Sequence, residues 1–276
     1  MQEINKDSQI NENPTEEKCL DTKNIDDIYI VHKIYLGVLL RTFSFDNHFL
    51  IDLASNSHKT LAPTNEYSQS IIRILKVNNI ITPYIALEND SEKLKNKCLS
   101  GQIYNICIHD SNVSKKELLS NLMFPNKASS DLKDGDILIH FLIEIQYYEA
   151  IEFMMFTIEK FKLYTFDVDE RFEILFFHIL IYYSLSQLFN FIYMTIRNIA
   201  AYKNKEVGKY IPMANFIYKG ISDTYEKAKL NKWTIINFNR PRELPQTELS
   251  KIISNDMLVI GESSFYEVIT TELLWK

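Results

Sequence analysis

The chain contains little glycine and proline, six and seven residues respectively in a length of 276. So few turn-forming residues disfavour a loop-rich β-sandwich and a nucleotide-binding fold that depends on glycine-rich turns. The sequence also has no Gly-x-Ser-x-Gly motif, no phosphate-binding glycine loop and no His-Glu-x-x-His motif. The best-known motifs of serine hydrolases, nucleotide-binding enzymes and zinc proteases are therefore missing.

Cysteine is scarce as well. Cys19, Cys98 and Cys107 form no Cys-x-x-Cys pair and have no neighbouring histidines at a spacing typical of metal ligands. The acidic, polar N-terminus does not read as a secretory signal. We therefore expect free thiols in a reducing, cytoplasmic setting, without a metal site and without a cofactor.

Apolar and aromatic residues are plentiful, at 46% of the chain with 17 Phe and 16 Tyr. This supply is enough for a sizeable core in one or two domains, and we predict a mainly α fold. Of the net charge of −6, residues 1–27 carry −5, from eight carboxylates and three lysines. This segment lacks apolar periodicity, so we expect a disordered acidic tail at 1–27, either an interaction arm or a solvated leader.

The apolar spacing and β-branched runs of residues 28–125 predict a small α+β module. Apolar spacing predicts a helix over 28–41, a short helix near 47–54 and a third helix that starts at Pro63 and Thr64. Two β-branched runs follow, "NIITPYIAL" and "GQIYNICIHD". Three helices followed by a hairpin is the order of a winged helix-turn-helix, which this segment resembles.

The winged-helix resemblance implies a recognition helix that presents polar side chains to DNA. The candidates in this sequence are Asn65, Gln69, Arg73 and Lys76. Winged helices also serve as protein-binding or dimerisation modules, and residues 28–97 carry a net charge of only +2, from eight basic and six acidic residues. Both interpretations stay open.

A polar stretch at 126–136 predicts a boundary, and residues 131–276 predict a helical bundle. Long helices are expected over 137–161 and 171–202, with a further helix through 214–228. The 23 residues from 174 to 196 carry no formal charge, but His178, Ser184 and Asn190 interrupt them. We therefore predict a buried bundle helix and no membrane span.

Charge is segregated within this second region. Residues 131–173 sum to −7, whereas residues 196–251 sum to +6 and alternate with tyrosines. Basic and aromatic side chains together are typical of RNA or single-stranded DNA binding. The candidate contacts are Lys203, Lys205, Lys209, Arg240 and Arg242. The alternative is that the acidic and basic segments face each other, within the monomer or across a dimer.

An apolar helix ends in "MTIRNIAAYKNK", residues 194–205, with Arg197 and Asn198 near its end. On these two positions the second region resembles HEPN-type helical domains, a family common in bacterial toxins and antiphage systems. The resemblance implies a metal-independent ribonuclease whose Arg stabilises phosphate charge and whose His transfers protons, often across a dimer. Here Tyr202 stands where that histidine is expected, and a phenol with a pKa near 10 is a poor proton shuttle at neutral pH.

Two further groups could contribute to such a site. Arg171 and His178 in "RFEILFFH" share one helical face, although His178 could equally be a core histidine. Ser184, Gln187, Asn190 and Arg197 form a polar stripe, which predicts interhelical hydrogen bonds or a cleft lining. Glu144, Glu149 and Glu152 lack the Glu-x-x-His spacing of a di-metal bundle, so no metal centre is predicted.

These patterns lead to three hypotheses. The first is a non-catalytic binding or regulatory protein of a prokaryotic defence or toxin–antitoxin-like system, acting as a homo-oligomer or through a protein partner. The second is a HEPN-like ribonuclease centred on Arg197. The third is a DNA-binding regulator that uses residues 65–78.

Overall fold

The computed structural model describes residues 22–45, 50–55, 58–88, 90–125, 135–203 and 212–270. Within these residues the protein is mainly helical with a small amount of sheet, as the composition predicts. Two hydrophobic cores hold the elements together. We refer to them as the first core and the second core in the order of the chain.

The first region alternates helices and short strands. Its elements are β1 (Lys23–Asn24), α1 (Ile30–Thr42), β2 (Ser44–Phe45), β3 (Leu50–Asp52), α2 (Asn65–Val77), β4 (Ile81–Pro83), α3 (Glu92–Leu99), β5 (Ile103–Ile106), β6 (Ile108–His109) and α4 (Lys115–Met123). Strands β2, β3, β5 and β4 form an antiparallel sheet in that order. Strand β1 pairs in parallel with β6.

Several predictions for this region are confirmed. Helix α2 starts at Thr64, whose hydroxyl accepts a hydrogen bond from the Tyr67 N–H at 3.1 Å and caps the helix. The two β-branched runs contain β4 and β5, which pair antiparallel with Thr82 opposite Asn105. The first predicted helix corresponds to α1, whose apolar side chains enter the first core.

The short helix predicted near 47–54 is wrong. Residues 50–52 form β3, in which Leu50 and Ile51 are buried and pair with β5. Residues 46–49 lie outside the described part. Because β2 and β3 stand between α1 and α2, and α3 lies between β4 and β5, the elements do not follow the order of three helices and then a hairpin. Strand β3 pairs with β2 just before it and with β5, some fifty residues further along the chain, and the second of these pairings is not visible in the local pattern.

The second region is helical. It comprises α5 (Gly135–Lys160), α6 (Glu170–Leu180), α7 (Leu185–Lys203) and α8 (Met213–Leu230). The predicted single helix over 171–202 is broken between α6 and α7. At the break the Ser184 N–H donates to Gln187 Oε1 at 3.0 Å and the Gln187 N–H donates to Ser184 Oγ at 3.3 Å. This reciprocal capping box starts a new helix inside an apolar run.

Helix α5 links the two cores. Residues from Leu138 to Ile145 pack in the first core, and those from Tyr147 to Ile158 pack in the second. The C-terminal segment contains α9 (Glu248–Lys251), a π-helical stretch (Ile252–Met257) and α10 (Ser263–Tyr266). Its apolar residues 249–258 return to the first core and Phe265 enters the second. Most of the predicted boundary at 126–136 lies outside the described residues.

Two further expectations concern the setting of the protein. Among the described helices, none combines the length and the apolar character that crossing a membrane requires. Cys98 is a free thiol, but Cys107 takes part in a disulfide, so the expectation of free thiols is wrong for Cys107. A cytoplasmic location stays a prediction.

Candidate functional site

Arg197 and Asn198 lie side by side on the exposed surface near the end of α7. Neither makes an ion pair or a side-chain hydrogen bond with any residue that the structure describes. Both side chains are therefore available to a ligand. Tyr202, the residue that replaces the expected histidine, is also exposed, at 48%.

Arg171 and His178 lie on α6 and are not joined to Arg197 by any contact between described residues. Arg171 forms an ion pair with Asp169, with 2.6 Å between NH2 and Oδ2, and its guanidinium lies 5.3 Å from the Tyr218 ring centroid. The carboxyl group of Asp169 has a lowered pKa because it accepts hydrogen bonds from Arg171. Arg171 is therefore held by its own loop and by α8.

The alternative of a core histidine is wrong for His178, because its side chain is exposed. Its ring meets the rings of Tyr182 and Tyr225 edge-on, at centroid distances of 5.8 and 5.5 Å. The sequence around His178 is apolar because its neighbours Phe176 and Ile179 are fully buried in the second core. Helical periodicity places His178 on a different face from Phe176 and Ile179. The sequence alone does not show which of these faces points to solvent.

The polar face predicted for α2 is present. Asn65, Gln69 and Arg73 are exposed on one side of the helix. Lys76 is partly covered, with its ammonium 4.4 Å from the centroid of the Tyr104 ring in β5. Three of the four predicted contacts are thus displayed to solvent.

The predicted basic surface after α7 is only partly described. Residues 204–211, which include Lys205 and Lys209, lie outside the described residues, as does the side chain of Lys203. Arg242 is exposed. Arg240 is held instead: its NH2 lies 3.0 Å from Glu149 Oε2, and its guanidinium lies 4.5 Å from the Phe265 ring centroid.

The contact between Arg240 and Glu149 joins the basic segment to the acidic one within the monomer. A contact between the acidic and basic segments was the alternative to nucleic-acid binding by the basic segment. Glu149 is only 3% exposed, so Arg240 neutralises a charge that would be unfavourable if it were buried alone. We infer that Arg240 acts as a structural partner of Glu149 and not as a free surface cation.

Arg197, the last residue of the polar stripe, makes no side-chain hydrogen bond with a described residue. The earlier part of the stripe on α7, Gln187 and Asn190 with the adjacent Ser186, is hydrogen-bonded, as one of its two interpretations predicts. Its partner is the extended segment of residues 233–247, which we call the strap. Gln187 Nε2 donates to the Ile235 carbonyl at 3.2 Å, Asn190 Nδ2 to the Ile236 carbonyl at 2.7 Å, and Ser186 Oγ to the Phe238 carbonyl at 2.8 Å. These side chains of α7 therefore donate hydrogen bonds to backbone carbonyls of the strap, which pairs with no strand in the described part of the chain.

A groove of about 680 Å³ lies between the second half of α5, the loop after α5 and the strap. Its apolar lining comes from Met155, Phe156, Leu163 and Leu244, and its polar lining from Glu152, Glu159, Lys162, Tyr164 and Thr165. A cavity of this size is in the range of small-molecule sites. The groove was not predicted, since it forms only where the strap passes α5.

Glu152 is the most unusual acid at this groove. Burial, together with the negative charge of Glu149, raises its pKa to about 7, and Arg240 opposes the rise. The Oε1 atom of Glu149 is buried without a hydrogen-bond partner among the described residues. In the sequence, Glu149 and Glu152 stand out only as possible metal ligands. Among the described residues, no three His, Cys, Asp or Glu side chains are grouped so that they could hold a metal ion.

The outer surface of α6 is a second candidate, which we call the α6 face. It consists of Glu173, Ile174 and His178 on α6 and of Ile181 and Tyr182 directly after its end, all exposed, with Ile174 at 65% and Ile181 at 59%. Helix α8 supplies a cation beside it: the Lys229 ammonium lies 4.2 Å from the Tyr182 ring centroid. An apolar stripe with a carboxylate at one end and an ammonium at the other is typical of a protein-binding surface.

Comparisons with protein-family models, with curated proteins and with solved structures find no match for this chain. The groove, the α6 face and the exposed Arg197–Asn198 pair are therefore the features from which a function is inferred.

Proposed function

We propose that the protein is a non-catalytic binding protein that acts as a homodimer, in which the α6 face pairs with the same face of a second copy. The observation that carries the proposal is the exposure of Ile174 and Ile181, seven residues apart on one side of α6. With the His178 ring between them, two isoleucines at this spacing form a stripe of about two helical turns. Covering them removes apolar surface from water, which favours association.

The charges beside the stripe favour a second copy as the occupant. In an antiparallel, two-fold arrangement Ile174 of one copy lies against Ile181 of the other. Glu173 then lies opposite Tyr182 of the second copy, where Lys229 supplies an ammonium. Because the symmetry repeats each contact, two carboxylate–ammonium pairs flank one apolar centre.

Sedimentation velocity over a range of protein concentrations tests the dimer. The α6 face is small, so we expect a dissociation constant in the micromolar range, typical of an interface of about 1,000 Å². Ile181→Glu places a carboxylate in the apolar centre and should give a monomer. Ile85→Glu is the matched control, since Ile85 is 80% exposed and lies away from α6.

A charge exchange tests the orientation of the pair. Glu173→Lys and Lys229→Glu should each weaken self-association, because each creates like-charge pairs. A mixture of the two variants should restore dimerisation, since in the mixed dimer positions 173 and 229 again carry opposite charges at both contacts. A protein that is monomeric at all concentrations, or a mixture that does no better than either variant, would overturn the homodimer.

A ribonuclease that uses Arg197 is the second candidate, supported by the exposure of Arg197 and Asn198 as a free pair on α7. Labelled RNA should be cleaved by the wild-type protein and not by Arg197→Ala, with Lys93→Ala as the control for another exposed cation. Cleavage that depends on Arg197 would replace the non-catalytic proposal. Intact RNA in both monomeric and dimeric fractions would remove this candidate.

DNA binding through the first region has one supporting observation, the exposed polar face of α2. A gel shift should then be lost in the double variant Arg73→Glu with Lys76→Glu. A shift that survives both charge reversals would exclude reading by this helix.

A further inference from the structure

The groove between α5 and the strap has the features of a ligand site that is separate from the α6 face. Its apolar residues Met155, Phe156, Leu163 and Leu244 come from three different parts of the chain. Glu152 and Glu159 lie seven residues apart on α5 and both line the groove, so their carboxylates stand along one side of it. An apolar surface with two acids beside it is complementary to a molecule with an apolar body and a positive charge.

Glu152 has no cation of its own within the described residues. Arg240, whose charge acts on Glu152, donates to Glu149 and lies over the Phe265 ring. Behind Glu152, one helical turn away, the buried Oε1 of Glu149 also lacks a hydrogen-bond partner. Two carboxylates therefore share one guanidinium, and the groove lining itself contains two carboxyl groups, Glu152 and Glu159, against one ammonium, Lys162.

We propose that this groove binds a small organic ammonium ion, whose apolar body lies on Phe156 and Leu244 and whose charged group pairs with Glu152. The groove volume of about 680 Å³ accommodates a molecule of roughly ten to twenty non-hydrogen atoms. Lys162 and Tyr164 stand on the loop side, where an additional polar group of the ligand would be recognised.

Binding is linked to a proton. With a pKa of about 7, Glu152 is about half protonated at neutral pH. The groups that act on it are Glu149 on α5, which favours the protonated form, and Arg240 on the strap, which favours the carboxylate. An ammonium ion also favours the carboxylate, so the proton of Glu152 leaves to solvent as the ligand binds.

Isothermal titration calorimetry with 2-phenylethylammonium chloride tests the site on the full chain. Two non-cationic buffers that differ in ionisation enthalpy, phosphate and HEPES, report proton release at pH 7. The affinity should rise about tenfold between pH 6 and pH 8 as Glu152 ionises, while the ammonium stays charged. The neutral analogue 2-phenylethanol should bind more weakly and release no proton.

Glu152→Gln keeps the shape and removes the charge. We expect about tenfold weaker binding of the ammonium and no proton release. Glu159→Gln, on the same side of the groove, is the control and should change affinity less and leave proton release intact. The wild-type pH dependence keeps the test valid even if a variant folds poorly.

No binding heat at any pH, or an affinity that Glu152→Gln leaves unchanged, would overturn the proposal. Neither result bears on the homodimer, because the α6 face and the groove share no residue. A monomeric protein that binds the ammonium would in turn leave this inference standing.

Discussion

The two cores of this protein are built from different side chains. The first core consists mainly of Ile and Leu and contains four buried aromatic side chains. The second core contains eight buried aromatic side chains. In the second core Phe153 and Phe189 stack with 3.9 Å between ring centroids, and Phe172, Phe176 and Tyr218 meet edge-on. Aliphatic side chains pack between a sheet and helices, while large rings fill the wider spaces between helices.

The second difference concerns polar groups. The charged pair Glu149–Arg240, the polar stripe of α7 and the groove all belong to the second region. The first region has its own partly buried network, in which Arg41 Nε lies 3.2 Å from Glu248 Oε2 and its NH1 also contacts Asp256. That network connects α1 to the C-terminal segment and borders no groove among those described. The polar groups of the second region thus lie beside a groove, whereas the Arg41 network ties α1 to the C-terminal segment.

The largest expected effect comes from removing a ring of the second core. Phe153→Ala should reduce the free energy of unfolding by about 3–5 kcal/mol, because it deletes a fully buried ring and leaves a cavity. Phe153→Leu, which keeps most of the volume, should cost about 1 kcal/mol. Urea unfolding followed by circular dichroism measures both. Equal losses for the two variants would contradict a role for ring packing.

Breaking the buried ion pair should have a similar or slightly smaller effect. Arg240→Ala leaves Glu149 buried without a partner, which we expect to cost about 3 kcal/mol. Glu149→Leu combined with Arg240→Met should recover most of that loss, since no unpaired charge remains. Arg242→Ala, two residues along the strap and exposed, is the control and should change the unfolding midpoint little.

Replacing one glycine in each region with alanine tests how tightly the two regions are packed. A Cβ at position 37 would lie 2.1 Å from the Leu122 carbonyl oxygen, a backbone atom between α1 and α4. Gly37→Ala should therefore cost about 1–3 kcal/mol. A Cβ at position 220 would meet a Thr195 side-chain methyl at 2.6 Å, which can rotate away. Thermal unfolding should show a larger decrease for Gly37→Ala than for Gly220→Ala, and the reverse order would contradict the tighter packing of α1.

The smallest effect is a pH dependence specific to the second region. The pKa of Glu152 rises from 4.5 to about 7 on folding, so the folded state binds its proton more tightly than the unfolded state. The stability from this group is therefore complete below pH 4.5 and decreases as the pH rises to 7. Between pH 5 and pH 8 the wild type should lose about 1–2 kcal/mol relative to Glu152→Gln, after allowance for partial exposure.

Urea unfolding of both proteins at each pH provides the measurement. The comparison isolates Glu152, because other groups such as Glu144, whose pKa is also raised by burial, are common to both proteins. Parallel curves for the two proteins would show that Glu152 has an ordinary pKa.

Local patterns predicted much of the helical structure. Helices α1, α2, α5 and α8 lie close to their predicted positions, because their periodic apolar faces and the cap at Thr64 are properties of a few neighbouring residues. The hydrogen-bonded stripe on α7 was also one of two predicted outcomes, since buried amides require partners. The identity of those partners, the carbonyls of the strap, could not be read from α7 alone.

The candidate sites were less predictable. Arg240 looked like a surface cation because its neighbours Asn239 and Arg242 are polar, but packing places it beside Glu149, 91 residues away. His178 looked buried because its neighbours are apolar, but the orientation of α6 leaves it outside. In both cases the decisive contacts are distant in sequence.

The sequence by itself determined the helical character, the positions of α1, α2, α5 and α8, and the segregation of acidic and basic charge. These depend on side-chain periodicity, capping and composition, which act over a few residues. The tertiary structure alone decided that Glu149 and Glu152 lie beneath the strap, that one guanidinium serves two carboxylates and that Ile174 and Ile181 face solvent. Burial and charge pairing depend on which elements meet, and that is set by the folding of the whole chain.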